Sequence, residues 1–222
     1  MMVAVLVIGI FASGKGTQAE LLTKKYGLYH FVTSKEGKNY IDTHDDPETK
    51  RQLALYKKGI LYESEWLCRV LSERVHEIFN EGKGVVFDGS PRTLYEAEYL
   101  LALLVELYGR ENVKAIELRI SYEEVKKRLE KRLVCSNDNS HSYKKSDVLQ
   151  VGSPCPKGDG VLGIRDLDRP EVFDTRIDEF EQRTRPAIDF LKKNYGLVEV
   201  NGEQLIDDVH KDVVKALGFE NK

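Results

Sequence analysis

The segment Gly9-Ile10-Phe11-Ala12-Ser13-Gly14-Lys15-Gly16-Thr17 constrains this chain more than any other. It follows Met2 to Ile8, an unbroken apolar run rich in β-branched residues. Such a run, without polar alternation, predicts a strand buried on both faces of a parallel sheet. Thr17 to Tyr26 then reads as a helix stopped by Gly27. Glycines and a lysine at this spacing, between a buried strand and a helix, form a loop that turns tightly and aims successive N–H groups at phosphate oxygens. The following helix adds its positive end. Lys15 is placed to reach the β and γ phosphates. The position after it is usually Ser or Thr; here it is Gly16, with Thr17 next.

The rest of the chain alternates in the same way. Tyr29 to Val32, Gly84 to Asp88, Val113 to Ile120 and Leu197 to Val200 read as short strands. Glu63 to Asn80, residues 94 to 108 and residues 122 to 134 read as helices, as does Glu171 to Tyr195, where Pro186 starts a new segment. Residues 34 to 50 read as loop and short helix. Leu205, Ile206, Val209, Val213 and Leu217 share one face of a closing helix. This alternation predicts an α/β fold with a parallel sheet wound by right-handed crossovers. From Cys135 to Gly163 periodicity fades into Ser, Asn, Asp, Gly and Pro, which predicts a lid or a small inserted subdomain.

Composition excludes several classes. Lys and Arg total 34 against 37 Asp and Glu, so no overall positive field recruits nucleic acid. The longest apolar stretch, Met1 to Ala12, is shorter than the roughly 20 residues that span a bilayer. It also lacks the basic start and cleavage site of a signal peptide. Three cysteines, an odd count, argue against a disulfide framework and for the reducing cytoplasm.

At this point a family resemblance is plain. Gly14-Lys15-Gly16-Thr17-Gln18 resembles the phosphate loop of adenylate kinases and related nucleoside monophosphate kinases. Asp88-Gly89-Ser90-Pro91-Arg92-Thr93 resembles their Asp-Gly-Phe-Pro-Arg-Thr segment. Arg165, Asp168, Glu171 and Arg176 fall in the register of the family's arginine and acidic pattern, and Val200-Asn201-Gly202 resembles its Val-Asp-Gly. The resemblance covers nearly the whole chain. It implies one domain (1–222) on a five-stranded parallel sheet of the P-loop NTPase type wrapped by helices, with a monophosphate-binding insert at 33–63 and a lid at 135–165. The implied reaction is reversible transfer of the γ-phosphoryl group of Mg·ATP to a nucleoside monophosphate.

Carried onto this sequence, the resemblance implies ATP contacts from Ala12, Ser13, Gly14, Lys15, Gly16, Thr17, Arg128, Arg132 and Gln204. It implies monophosphate contacts from Thr33, Lys38, Leu61, Tyr62, Gly89, Arg92, Glu96, Arg165 and Arg176. Lys15, Arg92, Arg132, Arg165 and Arg176 would carry the catalytic charge, and Asp88 would hold the waters of Mg2+. The expected partners are ATP and a monophosphate, bound by a monomer, with no nucleic acid and no membrane.

The sequence also departs from the family. Lys35 stands in place of an acidic residue, and Lys38 in place of a phosphate-binding arginine, keeping charge but losing bidentate geometry. Tyr62 replaces a small aliphatic residue, Ser90 a phenylalanine, and Glu96 the glutamine that reads adenine. A carboxylate only accepts hydrogen bonds, so Glu96 as a base reader predicts GMP or dGMP over AMP. As a solvated helix residue it leaves base reading to others. Of the family's four zinc positions, Cys135 and Cys155 remain, Asp138 holds the second and Gly158 the fourth. Zinc closes a structural site with four ligands, so a vestigial site of Cys135, Asp138 and Cys155 is expected, with Asp159 or His141 as candidates to complete it. The competing readings are a nucleotide-binding protein with little transfer activity and a kinase for another acceptor. Retention of Lys15, Asp88 and the arginines favours the monophosphate kinase.

Overall fold

The apolar run at the start of the chain becomes the central strand of the molecule. The computed structural model describes residues 1–138, 141–158 and 160–220. In chain order its elements are β1 (Ala4–Ile8), α1 (Lys15–Tyr26), β2 (Tyr29–Val32), α2 (Thr33–Thr43), α3 (Pro47–Lys57), α4 (Ser64–Asn80), β3 (Val85–Asp88), α5 (Leu94–Tyr108) and β4 (Val113–Arg119). Then come α6 (Tyr122–Glu130), β5 (Arg132–Cys135), β6 (Ser142–Lys144), β7 (Leu162–Gly163), α7 (Pro170–Glu179), α8 (Arg185–Tyr195), β8 (Val198–Asn201) and α9 (Ile206–Leu217). Among the described residues, five strands form one parallel sheet in the order β2-β3-β1-β4-β8.

β1 is buried along its whole length, as its uninterrupted hydrophobicity predicts. Alternate residues feed two cores. Ala4, Leu6 and Ile8 pack with Trp66, Leu71, Leu101 and Ile188 on one face, while Val5 and Val7 pack with Leu22, Val213 and Leu217 on the other. The carboxyl ends of β1 and β3 open onto the same edge of the sheet, where ligands of parallel sheets collect. The loop to α1 and the segment from Asp88 to Thr93 lie there.

Two local expectations change. Residues 34 to 50, read as loop and short helix, are largely helical, spanning α2 and the start of α3. α3 begins at Pro47, capped by Asp46, whose carboxylate accepts from the Thr49 N–H at 2.9 Å. The helix read to residue 134 ends at Glu130. Arg132–Cys135 is instead β5, the centre of an antiparallel sheet β6-β5-β7 among the described residues. That sheet has its own small core of Leu133, Cys135, Cys155 and Leu162. Pro186 does start a new segment, in the first turn of α8, but without a break in the chain's helical path: a π-helical turn, Phe180–Thr184, joins α7 directly to α8. Pro186 has no N–H to donate, and the widened turn carries the chain past it. π turns gather at functional sites. Here Phe180 lines the cleft described next, and the Thr184 hydroxyl donates to Arg92 O at 2.9 Å.

Candidate active site

The loop between β1 and α1 closes on itself through unusual backbone. Ala12 has φ 61° and Gly14, the residue before α1, has φ 98°. The left-handed region is open to glycine and strained for alanine. A Cβ on Gly9 would stand 2.4 Å from Leu118 O, so no larger residue fits there. A Cβ on Gly16 would stand 2.9 Å from Asp88 Oδ2. The family glycine after the lysine is therefore needed for the close approach of α1 to that carboxylate. Ser13 is buried, and its hydroxyl has no hydrogen-bond partner among the described residues.

Lys15 folds back across the loop, donating to Gly9 O and Ile10 O at 2.8 Å each. Burial pushes its ammonium down to about 7; Asp88 opposes the fall, while Arg92, Arg176 and Arg132 add to it. Burial alone would raise the Asp88 carboxyl. His30, Lys15 and Arg92 outweigh it and hold the group below the usual carboxylate range. His30 Nε2 lies 3.7 Å from Asp88 Oδ2, an ion-pair distance rather than a hydrogen bond. An ionised carboxylate at a strand end, within electrostatic reach of Lys15, suits a hard, oxygen-seeking cation such as Mg2+.

One cleft is lined by Lys15, Tyr56, Leu61, Gly89, Arg92, Arg165, Arg176 and Glu179. Arg92 Nε donates to Gly89 O at 2.6 Å, which fixes the guanidinium against the turn after β3. Arg165 donates to the Tyr56 hydroxyl at 2.6 Å. Arg176 donates to Asp168 at 3.0 Å and stacks its guanidinium 3.9 Å from the centre of the Phe11 ring. Asp168 is deeply buried between Arg176 and Arg132, whose Nε lies 3.5 Å away. Burial lowers the guanidinium of Arg176 to about 10 and that of Arg132 in the same direction, with Asp168 opposing in both. Phosphate oxygens are the compensation such crowded cations lack. Arg128 takes a different part: it donates to Ala12 O and Ser13 O at 3.2 and 3.3 Å and to Gly202 O at 2.7 Å, clamping the loop by its carbonyls. Gln204 bonds to Asn201 O and Asp212 close by.

Several residues expected at the monophosphate sit elsewhere. Lys38, its side chain 59% exposed, points to Asp42 at 2.5 Å and does not line the cleft. Tyr62 is buried beneath the surface, its ring 5.5 Å from Tyr56 and 5.1 Å from Trp66. Thr33 is also buried, donating to the Ser90 hydroxyl at 2.8 Å. Glu96 is 2% exposed, neither a solvated helix residue nor part of the cleft lining. Its carboxylate accepts from the Arg92 N–H at 2.7 Å and from the Ser64 hydroxyl at 3.3 Å, while its own N–H donates to the capping Thr93 hydroxyl at 3.1 Å. Burial raises its pKa, against the pull of the Arg92 backbone and side chain. Glu96 is a variant of the capping-box glutamate.

The expected zinc residues also rearrange. Ligand atoms of Cys135, His141 and Cys155 lie within 4.8 Å of one another. Asp138 borders this cluster, its Oδ2 4.0 Å from His141 Nε2 and 2.9 Å from Lys35 Nζ. His141, a candidate to complete the site in the sequence, is the residue that joins the two cysteines in this cluster. Asp159 lies outside the described residues. Two thiols and an imidazole are the donor types zinc prefers. Tyr56 and Glu179 carry no mark in their local sequence pattern, because the fold alone brings them to the arginines; Phe11 lies within the phosphate loop, but its stacking on Arg176 is set by the fold.

Among the described residues, the cleft gathers Lys15, Arg92, Arg165 and Arg176. Its cations surround a space shaped for oxyanions, over a glycine loop at a helix N-terminus, which is the arrangement of a phosphate-loop phosphotransferase. Comparison with known proteins narrows that class. A family model for adenylate kinase matches residues 7–195. The chain is 31% identical over 216 residues to an adenylate kinase of Acetivibrio thermocellus, covering 96% of each. It is 30% identical over 231 residues to one of Bacillus velezensis, covering 98% of this chain and 99% of that one. The chain belongs to the adenylate kinase family and is an ATP-dependent nucleoside monophosphate kinase. Among the described residues no helix is long and apolar enough to cross a membrane.

Proposed function

We propose that this kinase transfers the γ-phosphoryl group of ATP reversibly to AMP. The observation that carries this reading is the engagement of Glu96. With its oxygens held by Arg92 N–H and Ser64 outside the cleft lining, it presents no acceptor edge to favour guanine. The relatives named above are called adenylate kinases.

In this reading residues 12–17 cradle the ATP phosphates, with Arg128 holding the loop in shape and Gln204 beside the nucleotide. Lys15 leaves the carbonyls of Gly9 and Ile10 to follow the migrating charge. Arg92, Arg165 and Arg176 bind the acceptor phosphate, and with Arg132 neutralise the transition state; Leu61 and Gly89 border the acceptor. Asp88 would hold Mg2+ through its waters, and that ion would supply charge neutralisation at the phosphate oxygens. Segment 33–63 serves as the monophosphate insert and 135–165 as the lid. Their closure over the cleft excludes water, which alignment and charge neutralisation need to be effective. Lys38 and Tyr62 act as supports of the insert rather than as ligands. Cys135, His141 and Cys155 would hold zinc in the lid with three protein ligands, a structural role, and more weakly than a closed four-ligand site.

The test is turnover with ATP against a panel of monophosphates. AMP should be the best acceptor in wild type, and Glu96→Gln should leave the AMP:GMP ratio of kcat/KM within about threefold. GMP ahead of AMP, with a reversal in Glu96→Gln, would restore Glu96 as the base reader.

A further inference from the structure

Lys35 stands where the family pattern has an acid, and Asp138 where it has a zinc cysteine. The two departures meet in space. Lys35 Nζ lies 2.9 Å from Asp138 Oδ2, joining α2 to the segment after β5 across 103 positions of sequence. An acid at position 35 would face Asp138 with like charge; lysine turns the contact into attraction. On another flank of the same segment, Lys157 Nζ reaches Glu20 of α1 at 3.1 Å. The lid is thus tied by charge to the phosphate-loop helix and, separately, to the insert.

We propose that the Lys35–Asp138 pair is a latch between the two closing segments, so that either nucleotide, by closing its own segment, tightens the binding of the other. This rests on the reading of 33–63 and 135–165 as monophosphate insert and lid. A contact made only when both segments are closed adds its free energy to that state alone. Such a term is a coupling between the two sites, and it is reciprocal. The side chains of Lys35 and Asp138 are 53% and 20% exposed, so the attraction is modest and screened by salt. A weak latch suits a cycle in which products leave by reopening.

The experiment is calorimetric titration with the β,γ-imido analogue of ATP, with and without saturating AMP. It compares wild type, Lys35→Asp, Asp138→Lys and the double charge swap, with circular dichroism melting to verify folding. In wild type AMP should tighten analogue binding about two- to fivefold, and about 0.5 M NaCl should erode that gain. Each single variant should lose it and the double swap should recover it. Lys35→Met, which juxtaposes no like charges, replaces Lys35→Asp where that variant does not fold, and should also lose the gain. Wild-type coupling retained in the single variants, or not recovered in a folded double swap, overturns the latch alone. A wild type that binds neither nucleotide overturns the reading of the segments and the latch with it.

Discussion

Lys15 carries the most exposed claim at the scale of single residues. Its ammonium, buried and crowded by arginines, has its pKa lowered to about 7. In the free protein it is therefore mostly neutral above that pH. ATP brings negative charge and raises the pKa, so binding draws in a proton. At pH 8 the uptake should approach ~0.9 proton and should shrink as pH falls below 7. Calorimetry in buffers of different ionisation enthalpy reads it, and uptake independent of pH would refute the shift. Lys15→Met should lower kcat by about two to four orders of magnitude with the fold intact, because a preorganised contact to the migrating phosphoryl is gone. Arg92→Ala should depress kcat/KM for both substrates, since Arg92 faces the common cleft; a change confined to the KM for ATP would contradict that placement. Glu96→Ala should destabilise the protein by about 1–3 kcal/mol, by leaving the Arg92 N–H without its acceptor; chemical denaturation measures it. Its structural part was legible in the sequence. Thr93-Leu94-Tyr95-Glu96 fits the Thr-x-x-Glu signature of a helix start, while the register of Glu96 with the family's base-reading glutamine points instead to the base.

Among elements, those with strong periodicity were readable and those held by tertiary contacts were not. β1 announced itself because both of its faces are buried. β5 did not, because Arg132 to Cys135 continues the charged helical pattern before it, and only pairing with β6 and β7 makes it a strand. α2 was hidden by Gly37, a poor helix former. The structure gives the reason for that glycine: a Cβ there would stand 2.8 Å from Cε2 of Tyr62, whose ring is fixed by Tyr56 and Trp66. Gly37→Ala, which in an open helix would stabilise, should here destabilise by about 1–3 kcal/mol. Tyr62→Val should relieve the clash, so the double variant should lose less than the sum of the single ones. Additive losses in thermal or denaturant melts would break this link. The third member of the Cys135, His141 and Cys155 cluster is likewise hard to read, because His141 falls outside the two-residue spacing of the family's ligand pairs. Zinc should therefore be retained in Asp138→Asn and lost in His141→Ala; metal analysis after dialysis without chelator distinguishes these.

For the whole molecule, the glycine loop, the strand alternation and the arginine register carried the fold and the class of chemistry. What they left open was set by packing: Lys38 turned toward Asp42, Tyr62 was buried against Tyr56 and Trp66, and Asp138 was paired with Lys35. Each of these side chains has a chemistry that fits its aligned role, and each is engaged elsewhere by a neighbour distant from the motif or one helical turn away. The proposed function is ATP-dependent phosphorylation of a monophosphate, with AMP preferred. Its most direct test is ADP formation from ATP and Mg2+, followed with AMP, GMP, CMP and UMP in turn. AMP should give the highest kcat/KM, and the activity should vanish in Lys15→Met. ADP formation that is the same with or without any monophosphate would contradict it.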